Sequence, residues 1–359
     1  MYSKNDISWV SIETTNICNM TCSYCPKKLD SMNHKFIGPN IMDREVYINI
    51  LEGIKDISNL SYVVLTDFNE FFQTPHLTDF FLPELKKRNL NYMITTNGSM
   101  PVKNPEYYAD HQPKYLTLGV QTITAEQYYS SNRLPEMSWK KYVDSFCKVI
   151  DIFNSRCPDT LISIEVASNP SVTRLKRLLG HPSNENLPSK TNQAKNIDAF
   201  IELITSKTGI EFSKDYIEGR YQGQDVVAVS KNTNADIVIA FKTFIDMTDY
   251  VNNIKLNSKP VCYADSVTFS TNGDIKMCCI DYTDGTAFAN VKDQPIDEIM
   301  EIYISKVNEM RTKGSPFEVC KSCFGYKNNF DKYLNIRKRV ADYLKHYPKI
   351  VSLYRKINN

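Results

Sequence analysis

Three cysteines, Cys18, Cys22 and Cys25, stand at x3 and x2 spacing just after the short apolar run Trp9-Val10-Ser11-Ile12. Three thiolates hold three corners of a [4Fe-4S] cube, and the fourth iron stays open to a small ligand. Zinc takes four ligands, commonly from two C-x2-C pairs, so a lone C-x3-C-x2-C suits it poorly. A cluster with an open iron is a chemical site, whereas a fully ligated one transfers electrons or holds structure. This feature makes a chain of 359 residues an iron-sulfur protein first, and the fold must supply a scaffold for one short loop.

The rest of the composition excludes several classes. Hydrophobic residues make up 42% and charged residues 23%, an ordinary balance for a globular protein. No run of 18 apolar residues spans a membrane, and the start, Met1-Tyr2-Ser3-Lys4-Asn5-Asp6, lacks an apolar signal core. Ten cysteines in such a chain point to metal binding or reduced thiols and to the cytoplasm. A net charge of +2 gives no strong pull on nucleic acid. The charge is uneven: residues 331–359 hold eight Lys or Arg and two Asp. Tyr333, Ile336, Val340, Tyr343, Leu344 and Tyr347 there follow helical spacing, which predicts a terminal helix with a solvated basic face, ended or kinked by Pro348.

Strand-like and helix-like segments alternate over residues 1–245. Val10–Thr14, Tyr62–Leu65, Tyr92–Thr96, Tyr115–Val120, Leu161–Val166 and Asp236–Phe241 read as strands. Asp43 caps a helix with Tyr47, Ile50, Leu51 and Ile54 on one face. A second helix covers Asp79 to Arg88, and a long one places Trp139, Tyr142, Phe146, Ile150 and Phe153 on one face. The pattern predicts an α/β protein whose parallel sheet is covered by helices. In parallel barrels the chemistry sits at the C-terminal strand ends, where the cysteine loop falls. Residues 170–231 exceed one crossover and read as an insertion near the barrel mouth, a lid or a surface embellishment. It holds a polar loop around 182–189 and an amphipathic helix with Ile197, Phe200, Ile201 and Ile204.

The segment Cys18-Asn19-Met20-Thr21-Cys22-Ser23-Tyr24-Cys25 resembles the C-x3-C-x-aromatic-C signature of the radical S-adenosylmethionine (radical SAM) enzymes. Tyr24 fills the aromatic slot, and Glu13 and Thr14 resemble the strand-to-loop entry of members with a second cluster domain. The resemblance implies a partial (β/α)6 barrel and a SAM bound through its amino and carboxylate groups to the open iron. It also implies reductive cleavage to a 5′-deoxyadenosyl radical and an external electron donor such as flavodoxin or ferredoxin. Glu70 then matches the acidic residue of the family's Gly-Gly-Glu-Pro, which receives the SAM ammonium. Phe68, Asn69 and Phe71 replace the glycines and the proline, and a helix cap is the other reading of Glu70. Thr96-Asn97-Gly98 resembles the family's Thr-Asn-Gly on the SAM side, though Asn-Gly alone makes a turn. Gln121 stands where many relatives have Asp, and Glu165 and Asn169 are further cofactor candidates. A carboxylate buried in a strand needs a partner, which the sequence does not identify for Glu165.

The last hundred residues carry Cys262, Cys278, Cys279, Cys320 and Cys323. Thr271-Asn272-Gly273 between Val267–Ser270 and Asp274–Cys278 predicts an Asn-Gly hairpin, and Ile296, Ile299, Met300 and Tyr303 mark a following helix. By geometry alone, four thiolates suit zinc or iron-sulfur equally. The arrangement resembles the twitch domain, a shortened SPASM domain of radical SAM enzymes. The resemblance implies one auxiliary [4Fe-4S] cluster held by Cys262, Cys278, Cys320 and Cys323. The expected organisation is a barrel over 1–245, a twitch domain over 246–330 and the basic segment 331–359. Cys279 is left over, as a buried thiol, an alternative ligand or a catalytic hydrogen-atom donor. Cys147 and Cys157 read as core or surface thiols. Among five scattered histidines only His76 falls near the expected site.

The expected layout resembles that of 2-deoxy-scyllo-inosamine dehydrogenase, an aminocyclitol dehydrogenase. The expected reaction is oxidation of a small sugar- or aminocyclitol-like substrate. Epimerisation and peptide modification run on similar layouts, and fold does not select among them. Only 17 residues precede Cys18, too few for a leader-binding domain, which favours a small substrate over a peptide. A non-catalytic iron-sulfur or zinc protein is the remaining alternative.

Overall fold

A computed structural model describes residues 2–23, Cys25, 40–66, 69–99, 104–131, 134–168, 190–214, 220–221, 224–243, 266–279, Asp281 and 284–323. In chain order the elements begin with β1 (Trp9–Ile12), α1 (Arg44–Ile54), β2 (Tyr62–Val64), α2 (Leu82–Lys87), β3 (Tyr92–Thr96), α3 (Glu106–Asp110) and β4 (Tyr115–Leu118). There follow α4 (Ala125–Ser130), α5 (Trp139–Arg156), β5 (Leu161–Ser168), α6 (Lys190–Thr208), β6 (Glu211–Ser213), β7 (Arg220–Tyr221), β8 (Gln224–Lys231) and β9 (Asp236–Thr243). The C-terminal part holds β10 (Ser266–Phe269), β11 (Asp274–Lys276), β12 (Ala289–Asn290), α7 (Ile296–Lys313) and α8 (Glu318–Cys323).

The six strands expected from the sequence, β1 to β5 and β9, pair in parallel in that order. This is the partial (β/α)6 barrel. A seventh parallel strand, β10, pairs with the outer edge of β1, Trp9 opposite Ser266 and Ile12 opposite Phe269. The predicted Asn-Gly hairpin joins β10 to β11, with Gly273 at φ 91°, a conformation that glycine adopts freely. The hairpin thus extends the barrel sheet, and its second strand runs back towards the opposite end. At the other edge β8 and β6 add antiparallel strands beyond β9.

The two faces of the sheet differ in chemistry. Val10, Ile12, Val63, Ile94, Leu116, Leu118, Ile162, Ile164, Ile237 and Ile239 form one face, all fully buried under helices. Each such side chain contributes roughly 1.5–3 kcal/mol, so this face dominates stability. α5 covers it with Tyr142, Phe146, Ile150 and Phe153, and Ser138 caps that helix through the Lys141 amide. Asp43 caps α1, accepting from the Glu45 and Val46 amides, a contribution of about 1 kcal/mol.

Of the stretch 170–231, α6 is described: its apolar residues Ile197, Phe200, Ile201 and Ile204 are buried because it packs against α5 and β5, and its Gln193 reaches Gln121 O beyond β4. The polar loop expected at 182–189 and the basic segment 331–359 lie outside the described residues. No helix among the described residues is long and apolar enough to cross a membrane.

The opposite face of the sheet is mixed, with buried Val64, Met93, Val238 and Ala240 beside a set of polar residues. In alternation with the apolar set it presents Ser11, Thr117, Ser163, Glu165 and Thr268, each at most 2% exposed. At the N-terminal ends of the strands, Trp9 stacks on Tyr62 (centroids 6.3 Å) and Tyr62 meets Tyr115 edge-on (4.9 Å). These rings floor the inner face.

Candidate active site

The cysteine loop leaves the C-terminal end of β1 and is clamped along its length. Thr15 Oγ1 donates to Asn40 O (2.8 Å), and the Asn16 amide donates to the same carbonyl (3.2 Å). The Glu70 amide, beyond β2, donates to Ile17 O (2.9 Å), and the Ser23 amide donates to Ser131 O after α4 (3.0 Å). Between Cys18 and Cys22, Asn19 joins a three-residue ring with the end of β3. Asn97 Nδ2 donates to Asn19 Oδ1 (2.9 Å), Asn19 Nδ2 to Ser99 Oγ (2.8 Å), and the Ser99 amide to Asn97 Oδ1 (2.9 Å). Tyr142 of α5 donates to Asn97 O (2.7 Å). Between them sits Gly98, at φ 80°, where a Cβ would lie 2.9 Å from Phe146 Cβ, so this turn admits only glycine.

Cys18, Cys22 and Cys25 are half-buried. The Met20 amide donates to Cys18 Sγ (3.5 Å), and the Cys25 amide to Cys22 O (3.0 Å). Three thiols on one clamped loop, with an amide aimed at one sulfur, fit a cube held at three corners. Among the described residues no three His, Cys, Asp or Glu side chains converge on a point sized for one metal ion. Tyr24 lies outside the described residues.

Glu70 is 1% exposed. Its Oε1 accepts from Thr96 Oγ1 (2.5 Å) and the Phe72 amide (3.3 Å), and its Oε2 from the Asn97 amide (2.7 Å). The carboxylate therefore caps the turn Phe71–Gln73 and ties the ends of β2 and β3 together. Phe68, at the first glycine position, lies outside the described residues, and at the second the Asn69 side chain bonds to its surroundings. Asn69 Nδ2 donates to Leu65 O (3.1 Å) and Thr74 Oγ1 (2.8 Å). Phe71, in the proline position, is fully buried against Phe72, Tyr92 and Tyr108.

Gln121, expected at the end of β4, lies three residues beyond it at φ 63°. Its amide donates to Glu165 O (2.9 Å), and its carbonyl accepts from the Ala167 amide (3.0 Å) and Gln193 Nε2 (3.3 Å). A Cβ on Gly119 would make ordinary contact with Gln121 Nε2 and Thr96 O, 3.5 Å from each, so the Gln121 amide lies over the end of β3. Glu165, 2% exposed, finds its partner in Lys242 of β9, Nζ to Oε2 2.6 Å. The Lys242 side chain is 39% exposed, so the pair presents an ammonium at the rim of the inner face. Below it, Ser163 Oγ and Thr117 Oγ1 have no hydrogen-bond partner among the described residues, nor does Thr268 Oγ1. An unpaired buried hydroxyl costs roughly 1–3 kcal/mol. Three of them on one face suit a polar ligand such as SAM or a hydroxylated substrate. Asn169 lies outside the described residues.

At the other end of the sheet, Cys278 and Cys279 follow β11 and are half-buried, while Cys320 is buried. Cys279 is thus more open than the buried thiol expected, because it stands in a turn beyond the strand end. Cys323 ends α8, its side chain outside the described residues, as is Cys262. Cys147 and Cys157 belong to the core at 3% and 0% exposure. Burial pushes their thiols up to about 12 and about 11. His76 is a surface residue 3.1 Å from Asp79, away from the site.

The family model of the radical SAM superfamily matches residues 12–165. A second, for the SPASM iron-sulfur cluster-binding domain, matches residues 262–324. The chain belongs to the radical SAM superfamily. The cofactors of this radical SAM protein are [4Fe-4S] clusters and SAM. Its polypeptide path is similar to that of SuiB from Streptococcus suis, solved bound to the precursor peptide SuiA. That match has 14% identity and a TM-score of 0.51, and covers 86% of this chain and 68% of SuiB. BtrN in complex with AdoMet and 2-DOIA matches at 12% identity and TM-score 0.42 over 88% and 92% of the two chains. The anSMEcpe enzyme with AdoMet and a Cp18Cys peptide matches at 12% and 0.47 over 98% and 99%. At such identities the likeness speaks for the fold alone. No curated protein sequence matches this chain.

Sequence reasoning missed Lys242, Ser99 and the inner-face hydroxyls. The alternation of Ser163 and Glu165 with Ile162, Ile164 and Val166 is a signal that pointed to the hydroxyl face. Nothing local announces Lys242, because its pairing depends on the register of β5 and β9.

Proposed function

We propose that this radical SAM enzyme oxidises a carbinol of a small hydroxylated molecule of sugar or aminocyclitol type. One observation carries the reading: an inner face with buried hydroxyls and the Glu165–Lys242 pair lies between two cysteine loops at opposite ends of one sheet. Cys18, Cys22 and Cys25 stand at the C-terminal ends of the parallel strands, and Cys278 stands beyond the antiparallel β11, towards their N-terminal ends. Four residues of strand span about 13 Å, which sets the scale of the separation.

When bound, the cofactors would supply a 5′-deoxyadenosyl radical to take the carbinol hydrogen atom and an auxiliary cluster to accept one electron, while the hydroxyl proton leaves to solvent. Cys18, Cys22 and Cys25 hold the first cluster, and Cys262, Cys278, Cys320 and Cys323 the second. Tyr24, Glu70, Thr96, Asn97, Gln121 and Glu165 belong to the SAM side. Glu70 acts chiefly by fixing the ends of β2 and β3 that frame the SAM amino acid moiety. Thr117 and Ser163 offer hydroxyls to substrate oxygens, and Lys242, steadied by Glu165, orients a substrate hydroxyl. Small polar side chains leave room for a compact substrate. A flavodoxin or ferredoxin supplies the reducing electron, and a peptide substrate is the other class to test.

The half-buried Cys279 favours a second reading, epimerisation, in which its thiol returns a hydrogen atom to the substrate radical. Turnover in deuterated water with a panel of aminocyclitols and polyols separates the two. Oxidation gives a product lighter by two hydrogens without solvent deuterium. A product of unchanged oxidation state carrying one deuterium, and lost in Cys279→Ala, would overturn the proposal.

A further inference from the structure

We infer that Lys276 sets the reduction potential of the auxiliary cluster, its enclosed ammonium making that cluster easier to reduce. Lys276 is the last residue of β11 and is fully buried, with 0% exposure. It pairs across the hairpin with Thr268 on the inner face. Its Nζ donates to Asp281 O (3.2 Å) and lies 3.3 Å from Asp284 Oδ1. A hairpin strand does not require a cation here, and burying one costs several kcal/mol unless it is paired.

The pairing is built from the cysteine loop itself. The Asp281 amide donates to Cys278 O (3.2 Å). The Asp281 carboxylate, 2% exposed, accepts from the Gly285 amide (3.2 Å), the Thr286 amide (2.6 Å) and Thr286 Oγ1 (2.7 Å). Thr286 Oγ1 in turn receives the Met277 amide (3.1 Å). Asp284 meets the ammonium from a left-handed backbone, φ 57°, which Asp tolerates better than most residues. Asp281 and Asp284 thus close over the lysine, two residues in sequence from Cys278, an expected cluster ligand.

Cluster potentials respond to nearby charge, hydrogen bonds to sulfur and solvent exposure. A buried charge is weakly screened, so the ammonium favours the extra electron while Asp284 opposes it. The two groups therefore act with opposite sign. The use made of the electron rests on the oxidation proposed above, whereas the potential does not depend on the substrate.

The test is a redox titration of the full chain, anaerobically reconstituted and followed by electron paramagnetic resonance. Cys18, Cys22 and Cys25 are replaced by Ala throughout, so that only the auxiliary cluster reports. Lys276→Met is expected to move the midpoint to a more negative potential and Asp284→Asn to a more positive one, with iron retained. An unchanged or more positive midpoint in an iron-replete Lys276→Met overturns the inference. Should Lys276→Met fail to fold or lose its iron, Asp284→Asn decides: a positive shift supports the inference, and no shift or a negative one overturns it.

Discussion

The two cysteine loops are secured by different chemistry. The described contacts of the loop after β1 are made mainly by neutral groups, namely backbone amides, the ring of Asn19, Asn97 and Ser99, and the hydroxyl of Thr15, with the buried Glu70 carboxylate behind Asn97. Beyond β11, Asp281 and Asp284 stand around the buried ammonium of Lys276. Neutral hydrogen bonds fix geometry without imposing a field, each worth about 0.5–1.5 kcal/mol. Buried charges fix geometry and also set electron affinity. The contrast suits a first loop that must leave one iron open to a zwitterionic ligand, and a second that only has to accept an electron.

The largest expected effect divides the two loops outright. Replacing Cys320 and Cys323 together by Ala should abolish turnover while 5′-deoxyadenosine still forms. Loss of both activities in a folded protein would show that the loops do not act separately. Next comes Glu70→Gln. Oε2 accepts from the Asn97 amide while Oε1 serves Thr96 and Phe72, so an amide nitrogen would face a donor in either orientation. The expected loss is on the order of 1–3 kcal/mol, read as a lower melting temperature. It should weaken SAM binding about tenfold and leave the iron content unchanged, and unaltered affinity would remove Glu70 from the SAM side.

Asn19→Ala removes two hydrogen bonds of the ring, an effect of roughly 1–3 kcal/mol confined to the first loop. Lower occupancy of the SAM-binding cluster with a normal auxiliary spectrum is expected. Equal loss at both clusters would erase the distinction between the loops. The smallest effect concerns the core beneath them. Burial raises Cys157 from 9.0 to about 11 and Cys147 to about 12. A raised thiol pKa stabilises the fold fully below the unfolded value, and that contribution is lost as pH rises through the folded one. Stability should therefore fall between about pH 9 and 12, and less steeply in Cys157→Ser, by denaturant titration.

The parallel strands were legible because Val10, Ile162, Ile164 and their neighbours alternate apolar and polar residues between turn signals. The three-thiol loop was legible because its spacing is short-range. Glu165 announced a missing partner but not Lys242, since only the register of β5 on β9 joins residues so far apart. Nothing local in the sequence marks Lys276, and only Asp281 and Asp284, from beyond Cys278, enclose it. The pairing of β10 with β1 was hidden for the same reason, because strand neighbours far apart in sequence leave no local trace. The role of Glu70 was read from its charge, whereas its three donors come from segments that meet only in the fold.

Reductive SAM cleavage by the anaerobically reconstituted wild-type chain, assayed with its metal content, tests the central claim most directly. Two cubes predict about eight irons per chain, with 5′-deoxyadenosine formed under a low-potential reductant and none formed once Cys18, Cys22 and Cys25 are Ala. A preparation that binds only zinc, or that holds its iron and leaves SAM intact, would contradict the account.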